Sequence, residues 1–184
     1  ELLSAADVGL QALREQSEQS RSTLQATIDD VFGGQRAKSG ATLKPLVELT
    51  TKIVDGVHRT PSYVPSGVPF IVIENLNRGP GIDFGDTRFI SLEDHLEFVK
   101  RANPERGDVL VSKDGTLGIS RYVDTDQSFS IFVSVALLKP IRGVLDGRFL
   151  TYYIRSRLFW EHIRRTSAGS ALQHIHLRDF KTAP

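Results

Sequence analysis

The residues best suited to chemistry are two histidines, His174 and His176, in the short stretch "LQHIHL". Two residues apart on a strand, they would share one face, and imidazole nitrogens are common metal ligands. No carboxylate accompanies the pair at ligand spacing, and the chain has no cysteine. Two imidazoles are a poor basis for a metal site, so the sequence predicts neither a metal nor a cofactor.

Other catalytic arrangements are equally weak. Asp108 and Asp114 could form a pair of carboxylates, but "GD" before an apolar run is typical of a turn, and no Asp…Glu-x-Lys nuclease spacing follows. Glycines 79, 81 and 85 do not form a phosphate loop, because no GxxxxGK[ST] stretch exists. A GxSxG nucleophile motif is also absent. We therefore do not expect an enzyme.

Residues suited to binding are more plentiful. Residues 142–165 carry six arginines against two acidic residues, and arginine is well suited to bidentate contacts with phosphate or guanine. Arg148 and Arg155 lie on one helical stripe, whereas Arg157 and Arg164 fall nearly opposite. The sequence leaves two interpretations open, a DNA-facing patch and a solvated helix face.

Loops are the second source of binding groups, because recognition residues often lie on loops held by a rigid scaffold. Four loops combine turn formers with polar side chains: "DGVHRTPSYVPSGVPF", "IENLNRGPG", "SKDGTLG" and "RTSAGSALQHIH". Prolines stiffen the first of them. For each loop the alternative is a polar surface turn. The side chains that could read base edges are Asn75, Asn77, Lys113, Gln173 and His174.

Composition sets broader limits. The net charge of +1 conceals an acidic segment, because residues 1–34 hold two basic and six acidic residues. The remaining body is mildly basic, which permits a polyanionic partner without requiring one. No apolar run approaches the ~20 residues that span a bilayer, and no signal-peptide pattern is present. We expect a cytoplasmic protein without a membrane partner and, since the chain lacks Met, a fragment of a longer one.

The elements that position these residues form an α+β pattern. Residues 1–32 contain no Pro and only one Gly, which predicts a helix ending at Gly33-Gly34. Its middle, "REQSEQSRST", is polar on every face, so we expect it to pair with another helix or to bridge. The predicted organisation is a helical spacer over 1–34, a linker over 35–45 and a globular domain over 46–184.

Within that domain, helices and strands alternate without a regular βαβ order, which favours an α+β body with a mixed sheet. Strands are predicted over 69–77 and 129–140, and two more are predicted to meet at Lys113-Asp114-Gly115. A helix over 91–103 begins with Ser91 and Asp94 as a capping box. A single helix over 146–165 is predicted to carry most of the aromatic residues.

Three phrases in this order resemble a known family. "DG-H-TP-Y" opens the set, "GD-L-S-DG-LG" follows, and "GSALQHI-L-DF" closes it. Over residues 46–184 this order resembles a target recognition domain of the specificity (S) subunit of type I restriction-modification enzymes. The helix over 1–32 resembles the helical spacer that precedes such a domain.

The resemblance implies a non-catalytic reader of double-stranded DNA. It implies two recognition domains per S subunit, each reading half of a split target, with antiparallel coiled-coil spacers between them. It also implies methyltransferase (M) subunits docked on the spacers and, through them, a translocase-nuclease (R) subunit. Because this chain has one domain and one helix, the expected partner of the helix is a second recognition domain or a second copy of the chain.

The residues expected to face DNA combine the family phrases with the arginine-rich segment. Family phrases can also shape the domain, so His58 and Tyr63 either touch DNA or brace the loop. The alternative function is a protein-interaction scaffold without intrinsic DNA specificity. The expected contact residues are Arg36, Lys38, His58, Arg59, Thr60, Tyr63, Asn75, Lys113, Asp114, Thr116, Arg155, Arg157, Gln173 and His174.

Overall fold

The computed structural model describes residues 2–35, 38, 40, 42–166 and 173–184. Within these ranges, no helix combines the length and apolar character that crossing a bilayer requires. The helices are α1 (Leu2–Asp29), α2 (Leu46–Leu49), α3 (Ile73–Asn77), α4 (Leu92–Phe98), α5 (Gly147–Arg155), α6 (Arg157–Thr166) and α7 (Leu177–Thr182). The strands are β1 (Thr50–Asp55), β2 (Tyr63–Val64), β3 (Val68–Ile71), β4 (Arg88–Ile90), β5 (Val109–Ser112), β6 (Ser120–Tyr122), β7 (Ser130–Ile131) and β8 (Val135–Pro140).

Among its described side chains, the long helix α1 packs into the core of the body at its C-terminal end. Leu13 and Leu24 are exposed, whereas Ile28 and Phe32 are buried in the main core. The helix does not stop at Gly33-Gly34 as predicted, because the backbone continues from Asp29 into a π-helical turn over Asp30–Gln35. This turn includes Phe32, whose ring centroid lies 4.9 Å from that of Phe149.

Two four-stranded sheets build the α+β body. The first is antiparallel, with the order β1-β8-β5-β6. The second has the order β2-β4-β3-β7 and is mixed, because β3 and β7 run parallel. The expected α+β fold with a long N-terminal helix is therefore confirmed.

The first sheet is covered on both faces. Val109, Val111 and Leu138 pack with helices α5, α6 and α7 and with the end of α1. Alternate residues on the same strands, including Leu110 and Leu137, pack with residues of the second sheet. Burial on both faces explains why β5 and β8 read as continuous apolar runs in the sequence.

The predicted strand over 129–140 is in fact two strands in different sheets. The backbone turns at residues 132–134, where Val135 N donates to Phe132 O over 2.9 Å. Gly56 lies against this crossing, and a Cβ added there would stand 2.0 Å from Ile131 O. Only glycine permits that close backbone approach, which gives the "DG" of the opening phrase a structural role.

Two other predicted elements are also divided. The strand over 69–77 ends at Ile71, and α3 follows it. The helix over 146–165 breaks at Ser156, whose backbone is extended at φ −73° and ψ 153°. The Ser156 hydroxyl donates to Tyr153 O over 2.7 Å and accepts from Phe159 N at 3.3 Å. One serine thus closes α5 and opens α6.

The predicted start of the helix at Ser91 is confirmed, although the helix ends at Phe98 and not at residue 103. Ser91 is the N-cap of α4, and its hydroxyl accepts from Asp94 N at 3.1 Å. The side chains that α4 buries are His95 and Phe98, whereas Leu92 and Leu96 face outward.

Candidate nucleic-acid interface

The centre of the candidate site is Asp55, the last residue of β1, whose side chain is only 6% exposed. The Arg101 guanidinium forms an ion pair with its carboxylate, and Arg101 Nε donates to the Asp55 and Gly56 carbonyl oxygens at 3.1 Å. Lys113 Nζ lies 3.5 Å from Asp55 Oδ2. His58 Nε2 lies 3.4 Å from Asp55 Oδ1 and 3.2 Å from an Arg101 nitrogen. The carboxylate therefore gathers three basic side chains.

These neighbours decide the ionisation of Asp55. Burial acts to raise the pKa of its carboxyl group. The hydrogen bond and charge of Arg101, together with His58 and Lys113, outweigh burial and hold the pKa below its usual value. Asp55 is consequently ionised at neutral pH and acts as a brace for the residues around it.

Lys113 links this brace to the closing phrase. Its side chain is 12% exposed, and Nζ also lies 3.2 Å from Asp114 Oδ2. Its carbonyl oxygen accepts from Ile175 N at 2.8 Å, and Asp114 forms an antiparallel bridge with His174. Residues of all three phrases, Asp55, Lys113 and Ile175, which are 58 and 62 positions apart in the sequence, therefore meet at one end of the first sheet.

The loop between β5 and β6 is held in one shape by Ser112. Its hydroxyl donates to Thr116 O over 2.6 Å and accepts from Ile119 N at 2.8 Å. Gly118 has φ +76°, and a Cβ added there would stand 2.2 Å from the Trp160 ring. The loop is thus pre-organised, and it leaves the Thr116 side chain exposed.

The opening loop is tied to the second sheet and to α4. Arg59 forms an ion pair with Asp94 at 2.8 Å and lies over the Phe98 ring at 5.2 Å from its centroid. Tyr63 is 39% exposed, and Arg88 lies over its ring at 4.7 Å. Thr60, between them, is exposed. The loop therefore keeps a defined shape and still presents polar and aromatic groups to solvent.

Asn75 does not belong to the exposed set. It is buried, its Oδ1 accepts from Val72 N at 2.9 Å, and its Nδ2 donates to Asp83 O and Asp86 O at 3.1 and 3.0 Å. All of this side chain's described bonds serve to shape the loop after α3. The expectation that it faces DNA is corrected for this reason, since a buried amide with satisfied bonds cannot reach a base edge.

The arginine-rich segment is divided between the two helices. Two N–H groups of Arg155 are bound to Ser120, one to its hydroxyl and one to its carbonyl oxygen. Arg157 is exposed, and its Nε donates to Glu161 over 2.6 Å. Neither bonds to the Asp55 cluster, so these two arginines form a separate part of the surface.

The remaining candidates are placed as follows. Gln173 and His174 are exposed beside the β5–β6 loop, and His174 Nε2 lies 2.9 Å from His176 Nε2. Lys38 is exposed, and Arg36 lies outside the described residues. In the part of the chain that the structure describes, no group of three or more metal-ligating residues assembles.

Sequence reasoning missed Asp55 and Arg101 as members of the site. Asp55 stands in the quoted opening phrase "DGVHRTP", so its place in that phrase is a usable signal. Arg101 stands in "VKRANP", where nothing in the local pattern distinguishes it from a surface cation. Only the fold brings its guanidinium to a residue 46 positions earlier.

Comparisons with known proteins agree with this architecture. No protein-family model matches the sequence, and no curated protein matches it either. Several solved structures match this chain in fold, among them two that each cover 95% of it. One is the HsdS subunit from Thermoanaerobacter tengcongensis, at a TM-score of 0.53 and 19% identity, and the other is the S subunit of a type I restriction-modification system from M. genitalium, at 0.57 and 15%.

The chain spans less than half of each of these proteins, because it covers 43% of either one. The fold that this chain shares with these proteins comprises one long helix and one mixed α+β body. The resemblance predicted from the three sequence phrases is confirmed at the level of the fold.

Proposed function

We propose that this chain is a sequence-specific reader of double-stranded DNA within a type I restriction-modification specificity subunit, recognising half of a split target. The observation that carries the proposal is the meeting of the three phrases around Asp55, Lys113 and His174. Segments far apart in sequence come together at one end of the body, and the fold similarity to S subunits supports the same proposal.

The geometry favours different roles for the buried and the exposed residues at this end of the body. Asp55, Lys113 and Asn75 are buried or nearly so and hold the loops in place. The exposed groups next to them have donors and acceptors free to read base edges in a groove. These exposed groups are His58, Thr60, Tyr63, Thr116, Gln173 and His174.

The chain has no catalytic role in this proposal. Methylation and cleavage belong to the M and R subunits, and the module contributes specificity without a cofactor of its own. We place this work in the cytoplasm, where the DNA and the partner subunits would be found.

The helix supplies the proposed docking surface for the M subunit and for a second recognition domain or a second copy of the chain. Leu13 and Leu24 are 64% and 47% exposed on α1 and, eleven residues apart, lie on the same face of the helix, where a partner helix would cover them. Ile28 and Phe32 are buried in the body, so a docking test must leave these two residues unchanged. Leu13→Glu with Leu24→Glu should abolish co-purification with an M subunit, whereas Gln16→Glu with Gln19→Glu should not.

Selection from a randomised duplex library tests the DNA reader. At about 50 mM and about 200 mM salt, the chain should enrich one short motif, and its affinity should fall as salt rises, because phosphate contacts release counterions. Negligible binding that does not depend on salt would support the alternative function, a protein-interaction scaffold. In that case association with the M subunit would persist without DNA specificity.

A further inference from the structure

Two arginines meet on the edge strand of the first sheet. Arg121 lies on β6, and Arg155 is the last residue of α5. Arg121 donates to Ser120 O over 3.0 Å, and Arg155 donates to the same oxygen over 2.9 Å. Because both guanidinium groups converge on one carbonyl oxygen, two like charges are held side by side.

No carboxylate compensates this pair within the described residues. Other arginines of the body are neutralised, such as Arg106 by Asp126 and Arg78 by Asp86. Arg121 and Arg155 form no ion pair among the described side chains, and their hydrogen bonds go to neutral carbonyl and hydroxyl oxygens. Arg155 also lies over the neutral ring of Tyr152, with Cζ 5.7 Å from the ring centroid. The pair is therefore a local excess of positive charge.

The surroundings strengthen this conclusion. Both side chains are half-buried. Burial lowers the pKa of both guanidinium groups. The positive charge of Arg155 lowers the pKa of Arg121 further, by a smaller amount. Both guanidinium groups nevertheless stay charged at neutral pH, because arginine starts from a pKa above 12. A stable fold keeps two such charges together at a cost that a bound anion would offset.

The pair is also held in position for a ligand. Arg121 Nε donates to Gly81 O over 3.0 Å, and a terminal nitrogen donates to Gly79 O over 2.9 Å. Arg155 Nε donates to the Ser120 hydroxyl over 3.1 Å. A guanidinium has five N–H groups, so these bonds fix both planes and still leave donors unused on each arginine.

We propose that Arg121 and Arg155 together form a binding site for a phosphate group. Guanidinium groups suit this ligand because their paired donors match the spacing of phosphate oxygens. In the complex envisaged above, the phosphate is a phosphodiester of the DNA backbone, so this part rests on the proposed function. A contact of this kind positions the protein on the duplex and does not read its sequence.

Inorganic phosphate tests the site itself. The melting temperature is measured in phosphate and in chloride at equal ionic strength for the wild-type chain, Arg121→Gln and Arg155→Gln. Phosphate also stabilises proteins non-specifically, because it is excluded from their surface. The control for this effect is Lys100→Gln, which removes an exposed lysine paired with Glu97 and should respond to phosphate as the wild-type chain does. At about ten times its Kd, phosphate should raise the wild-type melting temperature by about 3 to 5 °C more than that of either arginine variant.

Charge-retaining variants keep the test open if a glutamine variant does not fold. Arg121→Lys and Arg155→Lys keep the positive charge but lose the paired donors, so each should retain a reduced stabilisation by phosphate. Equal stabilisation by phosphate in the wild-type chain, in Lys100→Gln and in the arginine variants would overturn the proposal.

Measurements of DNA binding distinguish the two possible sources of the phosphate group, the DNA backbone and free phosphate. If the phosphate belongs to the DNA backbone, Arg121→Gln and Arg155→Gln should weaken binding to all sequences alike. Each variant should also make the negative slope of log affinity against log salt shallower by about one. If the wild-type chain binds DNA and the variants bind equally well, the DNA part of the inference fails while the proposed function stands. If phosphate stabilises the chain through the pair but DNA does not bind, the site stands with free phosphate as its ligand and the proposed function fails.

Discussion

Lys113 Nζ and Asp55 Oδ2 lie 3.5 Å apart, joining the β5–β6 loop to the end of β1 across the first sheet. Lys113 also receives the closing segment through its carbonyl oxygen, which accepts from Ile175 N. A single buried carboxylate thus fixes two loops and, through Lys113, a third segment. This arrangement makes Asp55 the residue on which the shape of the proposed DNA-facing end depends.

Replacing Asp55 tests this role. Asp55→Asn leaves Arg101 and Lys113 without their shared anion, and removing one partner of a buried pair is costly. Because Arg101 is 45% exposed, we expect a loss of about 2 kcal/mol in the free energy of unfolding. Urea unfolding at pH 7 measures it. In the control Asp94→Asn, which breaks the exposed pair with Arg59, the loss should stay below about 1 kcal/mol, and equal losses would remove the special role of Asp55.

The same carboxylate predicts a pH dependence. The pKa of Asp55 is lowered in the folded protein, so the unfolded chain takes up a proton first as the pH falls. The stabilisation by Asp55 should therefore be full above its unfolded pKa, about 3.9, and should be lost as the pH falls through the lower folded value. The difference in unfolding free energy between the wild-type chain and Asp55→Asn should stay constant from pH 7 to about pH 5 and then shrink.

Asp108 is a control for this prediction, because its pKa is shifted in the opposite direction. Burial raises its pKa and outweighs the hydrogen bond from Lys139, whose Nζ lies 2.6 Å from Asp108 Oδ2. The folded protein then binds a proton more readily than the unfolded chain, so acid favours folding at this position until the pH passes below about 3.9. Relative to Asp108→Asn, the wild-type chain should gain stability as the pH falls toward that value. A loss in this window would contradict the assignment.

The contact between Gly118 and Trp160 gives a prediction about the β5–β6 loop. Gly118→Ala places a Cβ 2.2 Å from the ring at a backbone φ of +76°. Gly79 has nearly the same φ, +74°, but no atom within 4 Å of an added Cβ. Gly79→Ala should therefore cost only the backbone strain, about 1 kcal/mol, and Gly118→Ala at least about 1 kcal/mol more. Thermal unfolding measures both, and equal shifts would mean that the ring moves aside freely.

Sequence patterns predicted the fold class and, through the order of the three phrases, the resemblance to specificity subunits, because both depend on local residue types. The divided elements were not predictable in the same way. Apolar residues lie on both sides of Ser156 without a Gly or Pro between them. The break there is supported by Asp29, whose carboxylate accepts from Arg157 N at 2.7 Å. A contact between residues 128 positions apart leaves no mark in a local pattern.

The candidate site shows the same limit. Polar residues in loops were expected to face DNA, and Asn75 met that description as well as Gln173 did. The structure buries Asn75 beneath the loop after α3 and leaves Gln173 exposed. Which side of a loop a polar residue takes depends on where its backbone partners lie, such as Asp83 O and Asp86 O for Asn75. Residue type alone does not determine this.

We expect the exposed residues beside Asp55 and Lys113 to determine which base pairs the chain prefers. Gln173→Ala removes an amide that can form a bidentate contact with adenine, and Thr116→Val removes a hydroxyl while the Thr116 carbonyl keeps its bond to Ser112. We expect each variant to bind the preferred duplex about ten- to a hundredfold more weakly and to relax preference at one position.

Library selection followed by anisotropy titration of single duplexes measures these changes. Gln16→Ala, an exposed glutamine on α1, is the matched control and should leave both affinity and preference unchanged. Because Asp55 braces the loops without reaching the bases, Asp55→Asn should weaken binding and broaden preference at several positions together. Uniform weakening by Gln173→Ala across all sequences would instead assign that side chain to the phosphate backbone and leave base reading to its neighbours.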